Sequence, residues 1–129
     1  MPSHQQPTRY LTPTPESAAA FAQRWYAAWN ARDIDAIMAC YNPSIEHSSP
    51  FIKRYNGTDD LSLKGIDAVR DYFARALARN PTLQFYPKHV AVGLESVILV
   101  YERMTGDLAA EMFTLDLEGK IVRSVSHYG

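Results

Sequence analysis

Residues 83–128 hold four runs of strand-forming residues separated only by tight turns, and nothing else in the chain restricts its fold as strongly. The runs fall at 83–92, 96–105, 108–117 and 120–128, with Gly93, Gly106-Asp107 and Glu118-Gly119 supplying the turns. Strands joined by so few residues have to reverse direction, so the spacing predicts an antiparallel meander. Pro87, which has no N–H to give to a ladder, marks the first run as an edge strand or a bulge. In the third run, alternation puts Ala109, Glu111, Phe113 and Leu115 on one face and Ala110, Met112, Thr114 and Asp116 on the other. One carboxylate therefore sits in an otherwise apolar row. If helices pack on that row, Glu111 is a buried acid that needs a partner or a proton.

The preceding residues read as helices. Thr14 caps a helix that opens with Pro15 and Glu16, and Ala18, Phe21, Ala22, Trp25, Ala28 and Trp29 recur at helical spacing to about Ala31. Asp33 caps a second, shorter helix with Ile34, Ile37, Met38 and Tyr41 along one side, ending before Pro43. Residues 44–49 alternate as a short strand, with Ile45, His47 and Ser49 on one side. Residues 50–64 are polar, contain Asn56-Gly57 and Asp59-Asp60, and read as an irregular loop or pocket lid. A third helix opens at Gly65, aligns Ile66, Val69, Phe73, Ala76 and Leu77, and stops at Asn80-Pro81. Helices followed by a meander argue an α+β domain, with the helices against one face of a curved sheet. Residues 1–13, with Pro2, Pro7 and Pro13 among polar residues, read as a flexible arm, and residues 14–129 as one domain.

Charge and motifs narrow the function. Thirteen basic residues against fourteen acidic ones give a formal net charge of -1, so neither nucleic acid nor an acidic membrane surface is an expected partner. The single cysteine, Cys40, fits a reducing compartment, and the chain shows neither a secretory leader nor an apolar run long enough to span a membrane, so a cytoplasmic protein is expected. No histidine or cysteine pair has metal-ligand spacing, and no glycine-rich phosphate loop or GxSxG elbow occurs, so no metal or cofactor is expected. The candidates for chemistry are Glu111, as a desolvated acid or as half of an ion pair with an arginine, and His47, as a base or a core histidine. Tyr41 and Tyr128 offer phenols to a ligand or to the core, and Trp25, Trp29, Phe73 and Phe113 either line a cavity or fill it.

Several local strings resemble the NTF2-like superfamily, in particular its SnoaL-like branch: Trp29-Asn30-Ala31-Arg32-Asp33-Ile34, Tyr41-Asn42-Pro43, Ser49-Pro50, Gly65-Ile66-Asp67-Ala68-Val69-Arg70, Glu118-Gly119-Lys120-Ile121 and His127-Tyr128. The resemblance implies a cystatin-like cone. In it, three N-terminal helices pack on a strongly curved, mainly antiparallel sheet around a pocket for an apolar small molecule, often in a homodimer formed through the outer sheet face. The superfamily includes ketosteroid isomerases, dehydratases and polyketide cyclases, so the resemblance specifies fold far better than reaction. Compared with ketosteroid isomerases, Ser49 stands where the general-base aspartate is expected, Trp25 where the oxyanion tyrosine is, Tyr41 where a supporting tyrosine is, and Glu111 where the protonated sheet acid is. Half of that apparatus is replaced. The expectation is cofactor-free acid/base chemistry with His47 and Glu111 as the catalytic pair and Trp25, Tyr41, Ser49, Phe73, Phe113 and Tyr128 around the substrate. The alternative is a non-catalytic binding or dimerisation module with Glu111 in a structural ion pair.

Overall fold

The computed structural model describes residues 10–129. Its element order is α1 (Pro15–Asn30), α2 (Ile34–Met38), β1 (Tyr41–Ser48), α3 (Pro50–Asn56), β2 (Ser62–Lys64), α4 (Ile66–Arg79), β3 (Phe85–Val92), β4 (Val97–Arg103), β5 (Leu108–Leu115) and β6 (Ile121–Tyr128). The strands form one six-stranded sheet in the order β2-β1-β6-β5-β4-β3. Every pair is antiparallel except β1 with β6, which run parallel. The meander expected from the turns is therefore present, and the α+β class with it. β3 forms the sheet edge and its register slips between Pro87 and His89, where the proline interrupts the ladder.

Alternation along the strands decides which side of the sheet is covered. Val97, Leu99 and Tyr101 of β4, Ala109, Glu111, Phe113 and Leu115 of β5, Ser124 and Ser126 of β6, and Ile45 and His47 of β1 are all buried. Against them pack Phe21, Trp25 and Trp29 of α1 and Val69, Phe73 and Leu77 of α4. α1 begins with a capping box: Thr14 Oγ1 accepts from Ser17 N at 3.0 Å, and Ser17 Oγ accepts from Thr14 N at 2.9 Å. Its last residue ties it to the sheet, since Asn30 Oδ1 accepts from Phe85 N at 2.8 Å and Asn30 Nδ2 donates to Phe85 O at 3.0 Å. Arg32, at φ 58, then turns back to donate from Nη2 to Leu77 O at 2.7 Å and from Nη1 to Asn80 O, satisfying carbonyls at the C-terminal end of α4.

Three expectations need correction. Residues 50–64 are not an irregular lid: Ser49 caps α3 by accepting from Phe51 N at 3.2 Å, Pro50 occupies its first turn, and Gly57 at φ 68 ends it, after which β2 pairs with β1. Among the described residues the helices thus number four rather than three, because a seven-residue helix is too short to display periodicity in sequence. β1 starts at Tyr41 rather than at residue 44, pairing Tyr41 with Ile121 ahead of a register shift that accommodates Pro43. The flexible arm expected over residues 1–13 does not reach that far. Residues 1–9 lie outside the described residues, but Leu11 N donates to Leu115 O at 2.9 Å, Tyr10 bridges Asp116, and Pro13 is buried.

The Asn30 latch generates a test. Asn30→Ala leaves the backbone N–H and C=O of Phe85 without their partner, and stability to urea should fall by about 1–3 kcal/mol. An unchanged unfolding midpoint would show that the latch carries no weight.

Candidate functional site

The helices do not close completely over the concave face. A cavity of about 310 Å³ remains, lined by Trp25, Tyr41, His47, Phe73, Glu111, Phe113 and Tyr128 among others, so the cone is not filled by its own side chains. Seven of the eight site residues expected from sequence converge on this one space. Ser49 does not: its side chain serves as the cap of α3. The rim is formed by exposed residues, including Arg54 and Tyr55 of α3, Arg79 of α4, and Met104.

The floor carries two ionisable groups with opposite shifts. Glu111 is paired across the ladder with Ser126, whose Oγ donates to the carboxyl, lying 2.6 Å from Oε1 and 2.8 Å from Oε2. Burial outweighs that hydrogen bond and pushes the Glu111 pKa up to about 8 from 4.5. Among the described residues no arginine lies within salt-bridge distance of it: Arg103 is bound to Asp107, and Arg123 is exposed. The ion-pair alternative therefore has no partner here. His47 sits on β1 in register with Ser124, with Nδ1 2.6 Å from Ser124 Oγ, and its ring stands edge-on to Phe73 at 5.1 Å. Burial lowers its pKa from 6.5 to about 4. At neutral pH the acid thus holds its proton and the imidazole is uncharged. Two strand spacings and one two-residue step separate their backbones, on the order of 10 Å, so the groups face each other across the floor without touching.

Donors surround that floor. Trp25 Nε1 donates to Tyr41 Oη at 3.2 Å, which leaves the Tyr41 proton with no acceptor among the described residues. Burial holds the Tyr41 phenol far above its ordinary value, so it stays a donor. The Trp29 indole N–H is buried with no hydrogen-bond partner among the described residues. The walls are aromatic: Trp25 stacks on Phe85 at 5.6 Å and meets Phe113 edge-on at 5.3 Å, while Tyr128 lies 4.3 Å from Phe51. Ser124 and Ser126 escaped the reading of the sequence. Their signal was the placement of two small hydroxyls at alternate, core-facing positions of β6, opposite the residues that need them.

The shifts fix the sign of the pH dependence of stability. The folded chain keeps the Glu111 proton up to about pH 8 and the unfolded chain only to about 4.5, so stability falls as pH rises through that window. His47 acts on the acid side: unfolded, it takes a proton near 6.5 and folded only near 4, so stability falls as pH drops between those values. Glu111→Gln should remove the first slope. Urea unfolding at pH 6.5 and pH 8, above most of the His47 window, should show wild type losing about 1–2 kcal/mol between the two, with the variant nearly flat. Parallel slopes would mean that Glu111 ionises normally.

The fold recurs widely among solved structures. A SnoaL-like protein of unknown function from Burkholderia thailandensis is 34% identical, with a TM-score of 0.85 over 91% of this chain and 98% of its own. TerC, co-crystallised with polyporic acid, superposes with a TM-score of 0.71 at 16% identity, covering 87% of this chain and 91% of its own. SalBIII, an epoxide hydrolase/cyclase-like enzyme of pyran ring formation in the polyether salinomycin, gives 0.69 at 19% identity over 88% and 92%. No curated protein matches the chain in sequence. The family model for the SnoaL-like domain matches residues 22–126, which include α1 from its second turn, the whole cavity floor and all but the end of β6, and the chain belongs to that family.

Proposed function

We propose that this protein binds an apolar small molecule carrying a carbonyl and catalyses cofactor-free proton transfer on it, as an isomerase, dehydratase or cyclase does. The observation that carries the reading is one cavity holding a carboxyl kept protonated by burial and an imidazole kept neutral by burial, since environments that push two pKa values apart assign an acid and a base. With Nδ1–H donated to Ser124 Oγ, the other ring nitrogen of His47 is free to take the α-proton. The electron pair of the broken C–H bond moves onto the carbonyl oxygen. The O–H groups of Glu111 and Tyr41 stabilise that oxygen as an enolate or enol, and the proton returns to carbon at the original or a conjugated position. Trp25, Phe73, Phe113 and Tyr128 hold the apolar body, while Ser49 acts through α3 rather than on substrate. TerC was co-crystallised with polyporic acid and SalBIII takes part in pyran ring formation, and cyclisation enters the reading only by that likeness.

A binding-only module is the second reading, and the lowered pKa of His47 favours it, because a weakly basic imidazole is a slow proton acceptor. Assembly belongs to the proposal as well. Ala91, Ile98, Met112 and Val125 are paired in register across β3, β4, β5 and β6 on the outer face, giving an apolar row that a homodimer would cover. Cys40, the lone cysteine, agrees with a cytoplasmic location, and no helix among the described residues is long and apolar enough to cross a membrane.

Two experiments test these readings. Exchange of the α-hydrogens of 2-tetralone in D2O, followed by proton NMR, should be accelerated by the protein, with a rate that is flat from about pH 4 to 8 and declines above about 8 as Glu111 ionises. Glu111→Gln and His47→Gln should each lower it about 100-fold or more while 2-tetralone still binds. Binding without acceleration would leave the binding module. Sedimentation at micromolar concentration should give a dimer that Met112→Lys converts to monomer with unchanged circular dichroism, and a wild-type monomer would end the dimer proposal.

A further inference from the structure

The cavity is aromatic within and cationic at its mouth. Arg54, Arg79 and Arg103 all contribute to the lining, and among the described residues the only carboxyl group there is Glu111 on the floor. Arg103 has a counter-charge, with Nε 3.0 Å from Asp107 Oδ2, although the approach is out of line for a hydrogen bond. Among the described residues Arg54 and Arg79 have no carboxylate within salt-bridge distance. Both guanidinium groups lie instead against one ring. The Arg79 Cζ is 3.8 Å from the centroid of Tyr55 and the Arg54 Cζ is 5.6 Å from it.

Each cation is attracted by the negative face of the phenol, yet the two repel one another, and among the described residues no carboxylate within salt-bridge distance offsets that repulsion. Long exposed side chains with nothing to hold them spread into water. These are drawn together by a ring that is itself fixed: Phe51 packs edge-on to Tyr55 at 5.8 Å, and Arg75 Nη2 donates to Asn56 Oδ1 at 2.8 Å, tying the end of α3 to α4. A planar carboxylate suits a guanidinium fork, and at this mouth it would supply the missing counter-charge. The interior sets the rest of the ligand. An apolar cavity of ~150 Å³ takes up one benzene ring, so about 310 Å³ admits a body of roughly two rings.

We propose that the substrate is an amphiphilic carboxylate: a flat apolar body of roughly two rings enters the aromatic cavity, and its carboxylate remains at the mouth beside Arg54 and Arg79. This rests on the reading of the cavity as a small-molecule site and adds the class of molecule it selects. The arrangement orders the bound molecule, because the anchored end stays at the rim while the opposite end meets His47, Tyr41 and Glu111. Neutral molecules of equal shape lose that anchor, and a compound with its anion at the inner end is rejected by the apolar walls.

The test compares naphthalene-2-carboxylate with naphthalene-2-carboxamide by calorimetric titration near pH 7, so that shape is held constant and only charge differs. Wild type should bind the carboxylate about tenfold more tightly, and the advantage should shrink in 0.5 M NaCl. Arg54→Ala and Arg79→Ala should each weaken the carboxylate about threefold and leave the carboxamide unchanged, with Arg79→Lys recovering part of the loss. Both arginines are exposed, and near-ultraviolet circular dichroism verifies that the variants keep their fold. Equal affinity of wild type for the two ligands, or arginine variants that weaken both alike, would overturn the anion proposal and leave the pocket reading standing. Binding of neither compound would remove the pocket reading and this proposal together.

Discussion

Trp25 is the contact on which the domain depends. From the middle of α1 it reaches five aromatic partners: Tyr26 and Trp29 on its own helix, Phe85 on β3, Tyr101 on β4 and Phe113 on β5. Its indole N–H goes to Tyr41 on β1. One side chain therefore connects the first helix to strands on both sides of the sheet. A large ring buries more apolar area than any aliphatic side chain and holds its neighbours in edge-on and offset geometries, so their directions are fixed along with their contact. The cavity is the space left between this aromatic wedge and the floor beside it.

That arrangement explains why polar groups survive inside. A helix laid flat along the whole concave face would cover Glu111 and His47 with apolar atoms and leave each with one serine as its partner. Here a cavity remains between the aromatic wedge and the floor, and both ionisable groups line it. The hydroxyl groups of Ser124 and Ser126 satisfy each group once, enough to orient it and too little to stabilise its charged form. Both residues are consequently neutral at the pH where most chemistry is done, as a proton donor and a proton acceptor need to be.

The departures from the ketosteroid isomerase pattern acquire a physical meaning in the structure. The position of that family's base is taken by Ser49, and its hydroxyl is committed to the first turn of α3. His47, two residues earlier on the same strand face, reaches the cavity instead. Trp25, at the position of an oxyanion tyrosine, gives its hydrogen to Tyr41 and so turns the Tyr41 hydroxyl into the free donor.

The sequence by itself determined the order of the elements other than α3 and β2, the alternation that puts Glu111 and His47 on core-facing positions, and the aromatic stripe of α1, because these follow from periods of two and of 3.6 residues written into adjacent positions. It determined the family through local strings from Trp29 to Tyr128. Only the tertiary structure decided that the cone stays open, that Glu111 meets a serine rather than an arginine, and that Arg54 and Arg79 converge on Tyr55. Those contacts, with the Trp25–Tyr41 and His47–Ser124 hydrogen bonds, join residues 15, 16, 24 and 77 positions apart. They depend on strand register, helix standoff and the placement of a seven-residue helix at the rim. No local period encodes such distances, since they arise from the way separately determined elements pack.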